Sequence, residues 1–143
     1  MNLQISSVTL SYLVHSTEDA GILNRAVCEA FGIDDTEISK ESLEGHYGNS
    51  LVFVRAHLTG RRAEDVAGRI SSGLTEASRN ELLAKLDISM DEHDALYLRL
   101  DRESIESGLT ISDQEPIWVK IKPKFRRGGR ELMKVAYMEE LKL

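Results

Sequence analysis

The sequence is poor in cysteine and lacks long apolar runs. Its single cysteine, Cys28, excludes an intramolecular disulfide framework and a zinc site built from four thiolates of one chain. No apolar run approaches the roughly 18 residues that a membrane span requires. No basic segment followed by an apolar one marks a secretory signal at the N-terminus. We therefore expect a soluble, cytoplasmic protein without a membrane partner.

Motifs for catalysis are also scarce. The chain has neither HExxH nor CxxC, no pair of histidines at helical spacing and no glycine-rich phosphate loop. The acidic clusters at 34–35 and 91–94 lack the glycine and the spacing of a calcium loop, which favours solvated turns. Cys28 lies beside an apolar helical stripe, which favours a buried structural thiol over a nucleophile. We predict no enzymatic activity, no metal and no cofactor.

The composition is typical of one globular domain with an uneven charge distribution. The chain has 143 residues, of which 41% are hydrophobic, enough for a core. Its net charge of −6 argues against indiscriminate binding to nucleic acid, yet residues 120–134 contain seven bases and one acid. This segment carries +6, so the rest of the chain carries −12. Such an asymmetry can orient an anionic partner.

Alternating apolar and polar residues predict the strands. The strongest alternation lies at 3–15, 51–59, 95–101 and 117–125, and a weaker strand is expected at 36–43. In each strong strand one set of alternate residues is apolar, and the other set is polar or aromatic. We therefore expect a sheet with one buried face and one face open to solvent or to a partner.

Helical periodicity and capping residues predict the helices. Thr17 is expected to cap a first helix that ends at Gly32, and a second helix starts after Thr59. A capping box at 78–81 predicts a third helix, and a short helical turn is expected at 102–107. The order β-α-β-β-α-β with extra helices predicts an α+β fold, in which helices cover one face of a mainly antiparallel sheet.

The chain divides into a body and a basic C-terminal segment. We assign residues 1–125 to a single domain, and 126–143 to a basic hinge followed by an amphipathic helix at 130–142. The apolar stripe of this helix is expected at four positions: Leu132, Val135, Ala136 and Leu141. The helix either packs on the body or binds another subunit or a partner protein. Arg126, Arg127 and Arg130 flank two glycines and form either a mobile basic arm or a solvated linker.

The outward face of the predicted sheet combines hydroxyls, aromatics and cations. The first strand contributes Ser7, Thr9 and Ser11. The other strands contribute the following side chains: Phe53, Arg55, His57, Tyr97, Arg99, Trp118, Lys120, Lys122 and Lys124. Unpaired bases stack on aromatic planes, cations contact phosphates and hydroxyls can reach ribose, so this mixture suits single-stranded RNA. Arg126, Arg127 and Arg130 would extend the track of cations.

The same face admits a second interpretation. Exposed aromatics on a sheet also act as cross-strand packing partners or form the surface of a homo-oligomer or of a complex with another protein. The lysines at 120, 122 and 124, with Pro123 between them, also suit an edge strand that is protected from aggregation. The residues alone leave both interpretations open.

Three segments resemble a known family. They are Glu44-Gly45-His46-Tyr47-Gly48-Asn49 before a strand, the strand at 96–101, and Leu109-Thr110-Ile111-Ser112-Asp113 before the last strand. They resemble an archaeal family of small RNA-binding domain proteins that are predicted exosome subunits. The resemblance spans roughly residues 5–125 and departs from the family at Ser50 and at 114–116.

The resemblance implies a fold, a function and two further site residues. The implied fold is similar to that of the ribosomal protein that contacts 5S RNA, with a curved sheet. The implied function is non-catalytic RNA binding as an accessory to RNA processing or degradation, with subunits of an RNA-degrading complex as partners. His46 and Tyr47 are then expected on a loop at the rim of the sheet, in contact with a nucleotide. Independently of the resemblance, Asp101 is expected to cap the short helix that follows it rather than to act as a base.

Overall fold

The computed structural model describes residues 3–44, 48, 50–126 and 128–143. The strands are β1 (Ile5–His15), β2 (Ile38–Glu44), β3 (Ser50–Thr59), β4 (Leu96–Leu100) and β5 (Ile117–Pro123). The helices are α1 (Ala20–Phe31), α2 (Gly60–Gly73), α3 (Glu76–Ala84), α4 (Leu86–Ser89) and α5 (Arg130–Glu140). Within these described residues, no helix is long and apolar enough to cross a membrane.

The five strands form one antiparallel sheet in the order β2-β3-β1-β5-β4. The central strand, β1, pairs with β3 on one side and with β5 on the other, so that Leu10 lies opposite both Ala56 and Val119. These three residues are buried on the inner face of the sheet. The predicted α+β fold with a mainly antiparallel sheet is confirmed.

The core lies between the inner face of the sheet and the helices. Helix α2 packs against β1 and β3 and buries Ala63, Val66, Ala67 and Ile70, which recur at helical spacing.

In the loop after β4, the Asp101 carboxylate accepts a hydrogen bond from the Ser104 hydroxyl at 2.6 Å, as expected of a residue that organises a turn. The segment 102–107 forms turns and not the predicted helical turn.

Two helices begin at different residues from those predicted. The N-cap of α1 is Asp19 and not Thr17, because the Asp19 carboxylate accepts from the Ile22 amide at 3.1 Å. Helix α3 begins before the predicted capping box, since the Thr75 hydroxyl accepts from the Ser78 amide at 3.2 Å. Ser78 is therefore buried inside the helix, where its hydroxyl accepts from the Ile111 amide at 3.0 Å.

Strand β5 lies in the interior of the sheet. The interpretation of Lys120, Lys122 and Lys124 as an edge strand is therefore wrong, because β5 pairs with β1 and also with β4. The outermost strands of the sheet are β2 and β4. Cys28 also differs from expectation, since it is only partly buried. Desolvation, followed by the nearby carboxylates of Asp35 and Asp34, raises the pKa of its thiol.

Helix α5 packs on the body through a face that includes only two residues of the predicted stripe, Ala136 and Leu141. Met133, Ala136, Tyr137 and Leu141 are buried, whereas Leu132 and Val135 of the predicted stripe are exposed. The Tyr137 hydroxyl donates to the Asp94 carbonyl at 2.6 Å and thereby ties α5 to the loop before β4. Burial, with the nearby Asp94 and Asp91 charges, raises the pKa of this phenol.

The arginines before and at the start of α5 hold the same loop and the short helix α4 that precedes it. Arg126 Nε lies 2.9 Å from Asp94 Oδ2, and Arg130 Nε lies 2.9 Å from Asp87 Oδ1. Arg130 also reaches Asp94 Oδ1 at 3.4 Å. Hydrogen bonds from Arg130 and Lys134 hold the pKa of Asp87 below its ordinary value. These contacts contradict both a mobile basic arm and a solvated linker at Arg126 and Arg130, and Arg127 lies outside the described residues.

Two truncations of adjacent side chains can test which face of α5 packs on the body. Met133 is 2% exposed and Leu132 is 47% exposed. We expect Met133→Ala to lower the free energy of unfolding by about 2–4 kcal/mol, because it leaves a cavity in the core. Leu132→Ala is expected to change it by less than about 1 kcal/mol. Urea denaturation followed by circular dichroism measures both, and equal losses would contradict the packing of α5 described above.

Candidate nucleic-acid interface

The outer face of the sheet gathers side chains from four strands into two cross-strand rows. One row runs from Arg55 through Ser11 and Trp118 to Arg99, because each residue lies opposite the next in the antiparallel registers. Ser39 of β2 lies opposite Arg55 and extends this row to the edge of the sheet. The row therefore places one aromatic side chain between two arginines.

The second row lies two residues away on each strand, later in β3 and β5 and earlier in β1 and β4. It runs from His57 through Thr9 and Lys120 to Tyr97. The Thr9 Oγ1 and His57 Nδ1 atoms are 2.8 Å apart, a hydrogen bond on the exposed side of the sheet. Beyond this row, Lys122 lies opposite Ser7, which is nearly buried. Alternation in the sequence thus brings together on one face the residues predicted to lie there.

Trp118 and Tyr97 form the aromatic part of this face. They are 37% and 45% exposed and occupy diagonal positions on the neighbouring strands β5 and β4. Diagonal neighbours in an antiparallel pair lie about 7–8 Å apart. The Lys120 Nζ lies 5.5 Å from the centroid of the Tyr97 ring, a cation–π contact. Two accessible rings with a cation beside them can accept stacked bases and their phosphates.

Asp91 anchors Tyr97 at the rim of this face. The Tyr97 hydroxyl donates to Asp91 Oδ2 at 3.0 Å, and the amides of His93 and Ala95 donate to Asp91 Oδ1 at 2.8 and 2.9 Å. Partial burial acts to raise the pKa of Asp91, but the two amide bonds and the phenol bond outweigh it and hold the pKa below its ordinary value. The Tyr97 ring is thus held at its hydroxyl end while its faces stay accessible.

Three cations of the face form no close ion pair within the described part of the chain. Among the described residues, no carboxylate lies within ion-pair distance of Arg55, Lys120 or Lys122. Arg99 differs, because its Nη1 lies 3.3 Å from Asp113 Oδ1. Both groups of that pair are well exposed, so the pair is weak and can open. Positive charge on this face is therefore available to an anionic ligand.

The rows enclose a groove of about 660 Å³. The groove crosses β3, β1, β5 and β4 and is lined by the hydroxyls, aromatics and cations of both rows. A cleft of about 900 Å³ lies between α1 and β2, beside Cys28 and Arg25, and no aromatic residue lines it. Its bases are accompanied by the acids Asp34, Asp35 and Glu37. The groove, and not this cleft, offers both stacking surfaces and uncompensated cations.

Phe53 belongs to a more apolar part of the face. It lies opposite Leu13 of β1 and Glu41 of β2, one row beyond Arg55, and is half-buried. On the same face, the next pair toward Glu44 and Ser50 is Leu43 opposite Leu51. Phe53 therefore lies at the border between the groove and this apolar strip.

The remaining predicted site residues divide into two groups. Lys124 is exposed just beyond β5, where its Nζ lies 5.7 Å from the centroid of the Phe125 ring. Arg126 and Arg130 bind Asp94 and Asp87, as described above, and the structure does not bring them into the rows of the groove. His46 and Tyr47 lie outside the described residues.

An ionic cluster at the end of β1 was not predicted. Arg102 is nearly buried and donates to the Leu13 carbonyl, and its Nη2 lies 3.1 Å from both Glu18 Oε1 and Glu115 Oε2. His15 Nε2 lies 2.8 Å from Glu115 Oε1. No spacing in the sequence relates these residues, since they come from three separate segments. The described residues contain no group of three histidine, cysteine or acidic side chains that could hold a metal ion.

Comparisons with known proteins define the class of protein. Residues 7–124 match the model of a family described as RNA binding, and the chain belongs to that family. None of the curated proteins matches the chain. The family match spans the four strands that supply the groove.

Solved structures of archaeal proteins share the fold. A DUF54 protein from Archaeglobus fulgidus is similar, with a TM-score of 0.76, 26% identity and coverage of 96% of this chain and 99% of that one. A DUF54 protein from Methanothermobacter thermautotrophicus has a TM-score of 0.75, 23% identity and coverage of 96% and 98%. One from Sulfolobus solfataricus has a TM-score of 0.73, 18% identity and coverage of 94% and 96%. These matches extend into the C-terminal segment, so its helix is part of the shared fold.

The ionic cluster at Arg102 predicts how stability depends on acid. The hydrogen bond from Arg102, followed by the charge of His15, holds the pKa of Glu115 below its ordinary value. Its stabilising contribution is therefore present above the unfolded-state pKa and is lost as the pH falls through the lower folded-state pKa. We expect Glu115→Gln to lose less unfolding free energy between pH 7 and pH 3 than the wild type. The difference should be below about 1 kcal/mol, because Glu115 is largely exposed.

Urea titrations of both proteins at the two pH values measure this difference. Glu103→Gln is a suitable control, since Glu103 is an exposed glutamate in the same loop and lies outside the cluster. A wild type that loses no more stability in acid than Glu115→Gln would contradict the assigned role of the Arg102–Glu115 pair.

Proposed function

We propose that the protein binds single-stranded RNA across the outer groove of its sheet, without catalysis. The observation that carries this proposal is the combination of Trp118 and Tyr97, two accessible rings, with the unpaired cations Arg55, Lys120 and Lys122. Base stacking supplies affinity that tolerates sequence variation, and cations add contacts with the phosphates. Membership of the RNA-binding family supports the choice of RNA as the anion.

The groove favours single strands over duplexes. Bases in a duplex are already stacked on each other, so their faces cannot reach Trp118 or Tyr97 without unpairing. A strand of unpaired nucleotides can lie along β1 and β5 on the open sheet and present one base to each ring. Lys124 lies just beyond the C-terminal end of β5, and Arg99 of β4 lies near the other end of β5. Both extend the line of phosphate contacts.

We further propose that the protein acts as an accessory to RNA processing or degradation in the cytoplasm. A binding surface without a catalytic cluster holds a strand but leaves its cleavage to another protein. The resemblance to predicted exosome subunits suggests subunits of an RNA-degrading complex as partners, and a fold like that of the 5S-RNA-contacting ribosomal protein stays a prediction.

Removal of the central ring tests the stacking contact. We expect Trp118→Ala to weaken binding of a fluorescein-labelled oligo-rU by about 1–3 kcal/mol, the contribution of one stacked base. Fluorescence anisotropy at fixed salt measures the affinity, and circular dichroism checks that the fold is retained. Ile22→Ala is the matched control, because Ile22 is an exposed apolar residue of α1 and lies outside the groove. An unchanged affinity for Trp118→Ala would remove the stacking contact from the proposal.

The salt dependence of binding tests the phosphate contacts. Three contacts by Arg55, Lys120 and Lys122 predict a slope of about −2 for log K against log salt, and two more by Arg99 and Lys124 predict about −3.5. We expect Arg55→Ala to reduce the magnitude of the slope by about 0.7. Arg61→Ala is the control, because Arg61 is an exposed arginine of α2 and should leave the slope unchanged.

RNA binding and light scattering together separate the RNA proposal from the second interpretation of this face. If the protein binds no RNA at tens of micromolar and is a dimer by light scattering, the groove is a surface between two copies. In that case Trp118→Ala would shift the monomer–dimer equilibrium, and RNA would have no effect on it.

A further inference from the structure

We infer that the hydrogen-bonded pair of Thr9 and His57 recognises the ribose 2′-hydroxyl and makes the groove prefer RNA to DNA. This inference rests on the proposed function, since it names the part of the nucleotide that the middle of the groove reads. The two rings and the unpaired cations do not create this preference, because they act on RNA and DNA alike.

The pair occupies the middle of the groove. Thr9 is on the central strand β1, and it lies opposite His57 on β3 and Lys120 on β5. A nucleotide whose base stacks on Trp118 can place its sugar over β1, because Trp118 lies opposite Ser11 and diagonal to Thr9 on that strand. Thr9 and Ser11 supply hydroxyls there, whereas Ser7 is nearly buried.

The hydrogen bond within the pair organises its remaining donors and acceptors. Thr9 Oγ1 and His57 Nδ1 are 2.8 Å apart, and neutral imidazole carries its proton on one of its two nitrogens. If the hydroxyl donates to Nδ1, the Nε2–H remains as a donor and the Thr9 oxygen remains as an acceptor. If Nδ1–H donates to the hydroxyl, the Thr9 O–H remains as a donor and Nε2 remains as an acceptor. In both tautomers the pair offers one donor and one acceptor to a ligand.

A ribose 2′-hydroxyl is the complement of such a pair, because it both donates and accepts a hydrogen bond. Deoxyribose offers neither. A bound DNA strand would cover the pair and leave its donor and acceptor without partners, which costs binding free energy. The spacing of the hydroxyls along β1 also fits the spacing of successive riboses, since alternate residues of β1 are about 6.8 Å apart along the strand. A single nucleotide of an extended chain spans a similar length, so Thr9 and Ser11 can meet successive riboses.

Matched oligonucleotides test the inference on the full chain. Labelled oligo-rU and oligo-dU of equal length keep the base and the phosphates constant and differ only in the sugar. We expect the wild type to bind oligo-rU at least about fivefold more tightly than oligo-dU, the effect of roughly one net hydrogen bond. Thr9→Val keeps the shape and the strand propensity of the side chain but removes its hydroxyl. It should bring the ratio of the two affinities close to one by weakening the binding of oligo-rU alone.

Two further arms separate the outcomes. Thr36→Val is the control, because Thr36 is an exposed threonine outside the groove and should leave the ratio unchanged. His57→Ala should lower the ratio as Thr9→Val does, which guards against a local effect of valine. Equal binding of both oligonucleotides by the wild type overturns the inference and leaves single-strand binding intact. A ratio that survives both Thr9→Val and His57→Ala also overturns it. Absence of binding to either oligonucleotide contradicts the proposed function itself.

Discussion

The pairing of β1 with a strand on each side is the constraint on which both faces of the sheet depend. Side chains of a strand point alternately to opposite faces, so a register fixed on β1 determines which residues of β3 and β5 face the helices. The registers join Leu10 to Ala56 and Val119 inside, and Ser11 to Arg55 and Trp118 outside. The core and the groove are therefore two consequences of one set of backbone hydrogen bonds.

Much of the groove could be predicted because alternation is a local property of each strand. The apolar sets around Val54, Leu98 and Val119 identify the inner face, and the intervening residues then lie outside. The order of the strands is not local, and the sequence around Lys120 therefore suited an edge strand as well as an interior one. The pairing of β5 with both β4 and β1 decides between the two, and its partners on β1 lie more than a hundred positions earlier in the chain.

The C-terminal segment shows where reasoning from neighbouring residues fails. A run of bases beside two glycines is typical of a solvated arm, and nothing within the run opposes that interpretation. The carboxylates that bind Arg126 and Arg130 come from Asp94 and Asp87, more than thirty residues earlier in the chain. Half of the predicted apolar stripe of α5, Leu132 and Val135, is exposed for a related reason. The loop before β4 accepts the Tyr137 hydroxyl, and that contact decides which side of the helix faces the body.

The wide separation of the neighbours of β1 has a consequence for how the chain acquires its structure. Ser7 pairs with Lys122, so β1 gains its second neighbour only after more than a hundred further residues have been made. Contacts of such long range slow folding, because a large loop must close before they form. Until then one side of an eleven-residue strand stays unpaired, and it can join to the strand of another nascent chain. The yield of native protein during synthesis therefore depends on how soon β5 closes that side.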